Sequence, residues 1–217
     1  MTRNHLEPNR RELTSAEEIV NSVTHGIGVL LSIAALVILI VAAAIKGNAW
    51  HVVSFSIFGA SLVILYTSST LYHSFSKPAA RNVFARFDHA AIFVLIAGTY
   101  TPFLLTTLRG ALGWTFFGII WTVAITGVVI RSIHLYKYRR PMVLIYLILG
   151  WMFIFILNSM IKNLPATSLL FLLIGGLSYT VGVIFYAWRK LPFGHGIWHL
   201  FVLGGSINHF FAVLYSL

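Results

Sequence analysis

Three histidines, one serine and one aspartate carry the chemistry that this sequence offers. His195 and His199 stand four residues apart, so on a helix both imidazoles project from one face. His73 closes an earlier apolar run, with Ser69 one helical turn before it. Two imidazoles on one turn and a third from another helix make a three-nitrogen site with an open fourth position. That is the donor pattern of catalytic zinc, whose fourth ligand is water. The chain has five acidic residues, and Glu7, Glu12, Glu17 and Glu18 all fall within residues 1–18. Asp88 is the remaining one, at the edge of an apolar run, where a carboxylate is costly and is more often kept for function than for packing. Beside a metal it would orient the water or a ligating imidazole. Ser69 could donate a hydrogen bond to a developing oxyanion.

Each of these residues also has a plainer reading. Asp88 could pair with Arg86, or cap a helix beginning at that point, where the dipole favours an acid. Serine in a membrane helix commonly bonds its own backbone. His89 follows Asp88 by one residue, faces elsewhere, and is left out of the metal shell. His5, His51 and His134 belong to no constellation and read as interfacial. His209 lies fourteen residues after His195, about 20 Å along a helix, too deep to share its ion. A buried bond to a neighbouring helix suits it, with a cavity or proton-path role as the sharper alternative. Glu17, Asn21 and His25 recur at four-residue spacing and read as capping the first helix and bracing the site. Haem, which needs axial histidines on opposing helices, suits this clustering less well than zinc.

The elements that must position these groups are membrane helices. The 217 residues are 59% hydrophobic and only 9% charged, with mean hydropathy +0.89. A soluble domain carries roughly 25% charged residues, so this composition excludes one. Apolar windows recur at 22–45, 51–73, 88–108, 113–131, 141–161, 167–188 and 195–216. Each is close to the ~20 residues that cross a bilayer as a helix, and their continuity excludes the alternating strands of a barrel. The expected fold is all-α, a single seven-helix membrane domain over residues 1–217. Residues 1–18 form a polar cytoplasmic segment with no secretory signal. There is no cysteine, which removes disulfides, thiolate ligands and a cysteine nucleophile.

Positive charge sets the orientation. Arg3, Arg10 and Arg11 precede the first window; Lys77, Arg81 and Arg86, then Arg131, Lys137, Arg139 and Arg140, then Arg189 and Lys190 lie in alternate connections. The other side has Lys46, Arg109 and Lys162. The N-terminus is therefore expected in the cytoplasm and the C-terminus outside. A net charge of +10 is thereby explained by basic loops meeting anionic headgroups, without nucleic acid. On this topology His73, Asp88, His195 and His199, together with Asn21 and His25, arrive at one membrane depth.

These residues resemble the progestin and adipoQ receptor family, in its bacterial hemolysin III-related branch. The resemblance rests on Glu17-Glu18-Ile19-Val20-Asn21-Ser22-Val23-Thr24-His25, Ser69-Thr70-Leu71-Tyr72-His73, Phe87-Asp88-His89, Ala97-Gly98-Thr99-Tyr100-Thr101-Pro102 and His195-Gly196-Ile197-Trp198-His199. It covers nearly all of the chain after residue 15. It implies seven helices with a zinc ion near the cytoplasmic face, held by His73, His195 and His199. It also implies a water-mediated role for Asp88, a supporting role for Ser69, and kinship with membrane hydrolases of lipid amides or esters. The short polar segment ahead of the first window speaks against a hormone-receptor role. Three functions stay open: a zinc hydrolase taking a membrane lipid as substrate, a non-enzymatic sensor or homeostasis protein with structural zinc, and a cytolytic pore or channel. Polar groups gathered at one depth do not make the path that a pore requires.

The absence of cysteine allows a direct test of orientation. In cells, Thr2→Cys should be labelled by a membrane-impermeant maleimide only after permeabilisation, and Ser216→Cys without it. The reverse pattern would invert the topology.

Overall fold

The computed structural model of the protein describes residues 13–135, 139–188 and 190–217. Among the described residues all regular structure is helical. The helices are α1 (Ser15–Lys46), α2 (Ala49–Ser74), α3 (Pro78–Leu105), α4 (Ala111–Ile133), α5 (Arg139–Gly150), α6 (Leu157–Asn163), α7 (Ala166–Ala187) and α8 (Gly194–Leu214). A short 3₁₀ turn, Met152–Ile156, joins α5 to α6, and together they make the span Pro141–Asn163. Seven spans are thus long and apolar enough to cross a membrane, as the hydropathy pattern predicts.

Local chemistry fixes where the helices begin. Thr14 caps α1 in a capping box: its Oγ accepts from the Glu17 N–H at 3.3 Å, and the Glu17 carboxylate accepts from the Thr14 N–H at 2.9 Å. Asn48 caps α2 in the same reciprocal way with His51, which gives that interfacial histidine a definite role. Pro78 opens α3, where its missing N–H has no helical partner to lose. This start corrects an expectation. Asp88 does not cap the third helix; it lies well inside it, because the polar turns holding Arg81, Asn82 and Arg86 are helical although hydropathy excludes them.

The bundle is built around α3. Its apolar window is 72% buried, against 22% for α1 and α4 and 17% for the fifth span and α7. Large apolar side chains such as Leu30, Ile45, Phe155 and Ile184 face outward, as a lipid-facing surface requires. α1 packs on α2 and α8, α2 on α3, α3 on α4, and α7 on α8. Small residues set the closest approach: a Cβ on Gly98 would lie 2.5 Å from Ser61 Oγ, so α2 and α3 meet there only because position 98 lacks one.

The fifth span packs more loosely than the others. Among the described residues it approaches α3 sparsely and α4 hardly at all. Its break is held by one side chain. The Tyr100 hydroxyl lies 3.0 Å and 2.7 Å from the Leu149 and Gly150 carbonyls, and it accepts from the Phe153 N–H at 3.0 Å. Backbone groups freed by the 3₁₀ turn thus find a partner inside the protein, which lipid cannot supply. The Trp151 indole N–H adds a 3.0 Å bond to Thr180 Oγ on α7. The space left between the fifth span, α3, α7 and α8 is a cavity of about 180 Å³.

Tyr100→Phe should lower stability by about 1–3 kcal/mol, because the break keeps its orphaned groups and loses their partner. Thermal unfolding in detergent measures this. An unchanged melting temperature would mean that the clasp is incidental.

Candidate metal centre

Four helix ends meet at the end of the bundle that carries the α1 N-terminus: the starts of α1, α3 and α8 and the close of α2. His73 lies in the last turn of α2, and His195 and His199 lie in the first turns of α8. The three rings converge. One ligand atom from each can be chosen so that all lie within 4.8 Å of one another, and His73 Nε2 and His195 Nε2 stand 3.2 Å apart. A tetrahedral ion with nitrogen ligands at 2.0–2.1 Å holds them about 3.3 Å apart, so this pair fits such an ion.

Hydrogen bonds on the far sides of two rings decide which nitrogens face inward. His199 Nδ1 lies 3.1 Å from the Asn21 carbonyl oxygen. A carbonyl only accepts, so Nδ1 carries the proton and Nε2 presents its lone pair. His73 Nδ1 lies 2.6 Å from Glu18 Oε2, and the carboxylate fixes the same tautomer. Partners of this kind, a carboxylate or a backbone carbonyl behind the imidazole, are what metal-ligating histidines ordinarily have. With three imidazole nitrogens and no cysteine, the donor set suits zinc and other borderline transition metals.

Two neighbouring carboxylates hold the two halves of the cluster. Glu17 Oε1 accepts from the Phe193 N–H at 2.8 Å, pinning the left-handed residue (φ 56°) that precedes α8. Glu18 bridges His73 on α2 and Arg81 on α3. The reading of Glu17 as cap and brace therefore describes its contacts. Glu18 was missed, and its signal is faint: an acid one residue from Glu17 faces about 100° away, and nothing in the sequence says which helix lies there.

The remaining expected residues divide. Ser69 is buried, and its Oγ has no hydrogen-bond partner among the described residues. Asp88 is partly exposed. Both line the same cavity as His195 and His199. Asp88 is not a member of the ligand group, which among the described residues is His73, His195 and His199 alone. Arg86 donates to the Ser132 and Ile133 carbonyls at the end of α4. His89 places Nδ1 2.6 Å from the Ala85 carbonyl oxygen and stays out of the group, but it does not face elsewhere: it lines the same cavity as Asp88, with Nδ1 3.6 Å from the Asp88 carboxylate. His25 supplies a layer that spacing does not reveal. Its ring stacks on His199 at 3.5 Å between centroids and 10° between planes, and meets Tyr66 edge-on at 5.0 Å. His5 lies outside the described residues.

Residues 13–210 match the family model described as haemolysin-III related. The chain is 51% identical over 199 residues to Hemolysin-3 of Bacillus cereus, covering 92% of this chain and 91% of that protein. It is 49% identical over 202 residues to the Hemolysin-3 homolog of Bacillus subtilis (strain 168), covering 93% and 95%. It is also 30% identical over 218 residues to the human Monocyte to macrophage differentiation factor, covering 97% and 89%.

His199→Ala should abolish transition-metal binding by the purified protein, read by elemental analysis. Glu18→Gln should leave the fold intact and weaken metal affinity by about 10–100-fold, the usual effect of removing a partner behind a ligand. Equal affinity in wild type and Glu18→Gln would separate the carboxylate from the site.

Proposed function

Since the chain belongs to the haemolysin-III related family of multi-pass membrane proteins, we propose that it is a zinc-dependent hydrolase of membrane lipid amides or esters, serving membrane lipid homeostasis. One observation carries this reading: two of the three convergent imidazoles, His195 and His199, line a cavity together with Asp88, which stands outside the three-histidine group, and with Ser69, whose buried hydroxyl lacks a partner among the described residues. That supports an ion with an open coordination position. Zinc bound there would supply a Lewis acid for a carbonyl and acidify water toward a pKa of ~7.

The chain's own residues would do the rest. The cavity walls are mostly apolar, among them Leu95, Ile96, Phe103 and Val202, and they suit an acyl chain. The scissile carbonyl would then lie toward Ser69, whose hydroxyl donates to the oxygen as negative charge develops. Asp88 takes a proton from the attacking water and returns it to the departing amine or alcohol. His25 holds the His199 ring in plane by stacking, and the Glu18 and Asn21 acceptors keep two imidazoles in one tautomer. With the orientation expected from charge, products would leave toward the cytoplasm.

A second reading draws on the relatives. Two of them are named for Hemolysin-3, which favours a cytolytic pore. Against it stands the confinement of the titratable cluster to one end of the bundle. A sensor with structural zinc would ordinarily need a fourth protein ligand, and Asp88 stands outside the group that would hold it.

The metal-loaded protein should release fatty acid from at least one lipid in a panel of amides and esters. Asp88→Asn should keep its metal and lose about 10²–10⁴-fold in rate. Ser69→Ala should lose about 10²-fold. No release by wild type, or release by Asp88→Asn at the wild-type rate, rejects the reading. Dye leakage from vesicles that persists in His199→Ala would instead favour the pore.

A further inference from the structure

The face that α7 turns to the cavity contains one position with nothing in front of it. Leu172, Gly176, Tyr179, Thr180, Val183 and Tyr186 all line the cavity. Successive members stand one, three or four residues apart and all fall on one stripe of the helix, so position 176 faces the same way as the side chains on either side of it. Gly176 is only partly buried. Among the described residues, a Cβ built on it would meet nothing within 4 Å. The preceding glycine is a contrast. A Cβ on Gly175 would collide with the His209 ring, whose Nε2 donates to the Leu172 carbonyl at 3.3 Å, so that glycine serves the close contact of α7 with α8. No such contact calls for glycine at 176. A glycine inside a helix costs stability relative to alanine, and what Gly176 provides in return is width in the cavity.

The position lies well away from the histidine cluster. Tyr186 marks the cluster's level, with its ring centroid 6.0 Å from that of His195. Gly176 is ten residues earlier on α7, about 15 Å deeper along its axis, and Leu172 still lines the cavity one turn beyond. An extended chain advances about 1.2 Å per bond, so about a dozen bonds separate a carboxyl group at the cluster from the level of Gly176. We infer that Gly176 is a specificity-determining position: by leaving its part of the cavity open, it admits acyl chains longer than about a dozen carbons to the inner end. A side chain here would occupy the space that such a chain must cross, and it would leave a shorter chain untouched. No covalent step is involved. The inference rests on the reading that an acyl chain occupies the cavity with its polar head at His73, His195 and His199. It adds which residue sets the chain length.

Binding of decanoate and octadecanoate to the purified, metal-loaded protein tests it, since the first ends short of Gly176 and the second passes it. Wild type should bind octadecanoate more tightly than decanoate by about tenfold or more. Gly176→Phe should weaken octadecanoate by about ten- to a hundredfold and leave decanoate within about twofold. Gly118→Phe is the control: this α4 glycine is exposed and equally open in front, but it does not line the cavity, and neither acid should respond. Gly176→Ala adds one methyl group and keeps the test open should the larger residue prevent folding; it should weaken octadecanoate about two- to threefold and spare decanoate. Equal affinity of wild type for the two acids, or variants at 176 that weaken both acids alike or neither, overturns the role of Gly176 and leaves the acyl-chain reading standing. Failure of wild type to bind either acid removes both.

Discussion

Lipid offers no partner to a polar group, and the whole arrangement follows from that. At the end of the bundle that gathers the histidines, acids and backbone groups are paired inside the protein. Glu17 and Glu18, consecutive in the first turn of α1, bond elements on opposite sides of the cluster: Glu17 the residue before α8, Glu18 the last turn of α2 and the first turns of α3. Adjacent helical residues point about 100° apart, which is why two neighbours can reach two different helices. The first turn of α1 thus acts as a staple. The three imidazoles converge because both halves of their framework are bonded to it.

The same constraint shapes the interior. Where helices approach closely, as α2 and α3 do at Gly98, no space remains. Where bulky aromatic side chains such as Tyr146 and Trp151 keep the fifth span away, a cavity opens between it, α3, α7 and α8. The break between α5 and α6 would be intolerable facing lipid, but Tyr100 answers its backbone groups from the most buried helix. One helix thereby carries both the support of the loosely packed span and the acid that lines the cavity.

Much of this was legible in the sequence. Apolar length gave seven spans. The four-residue spacing of His195 and His199, with His73 brought to the same depth by an even number of crossings, pointed to the three histidines that the structure brings together as a group able to hold a metal ion. What escaped depended on partners that no spacing encodes. Hydropathy cannot distinguish a polar helical turn from a loop, so the third window starts at Asp88 although α3 starts at Pro78, and this is why capping by Asp88 stands as an alternative in the sequence. Glu18 looked like one more acid in a polar segment, since its bond to His73 exists only once α1 and α2 are side by side. The break in the fifth span starts at Gly150 and runs through Met152–Ile156, and a lone glycine inside an otherwise unbroken apolar run does not distinguish a broken helix from a continuous one. His25 was seen as a brace, yet its stacking on His199 needs the rotation of α1 about its own axis, which periodicity leaves free.

The separation of the acid from the ligands bears most directly on function. The three imidazoles and the carboxylates behind them come from α1, α2 and α8. Asp88 comes from α3, which touches α8 only sparingly. A site meant only to pin helices together gains from a fourth ligand drawn into the same rigid group, because closing the shell fixes the geometry. Here the only carboxylate after residue 18 sits on a different helix, faces the cavity and lies outside that group. That placement supports the proposed role of Asp88 as the group that exchanges protons with a molecule in the cavity, since a carboxylate recruited to close a structural shell would belong to the three-histidine group itself.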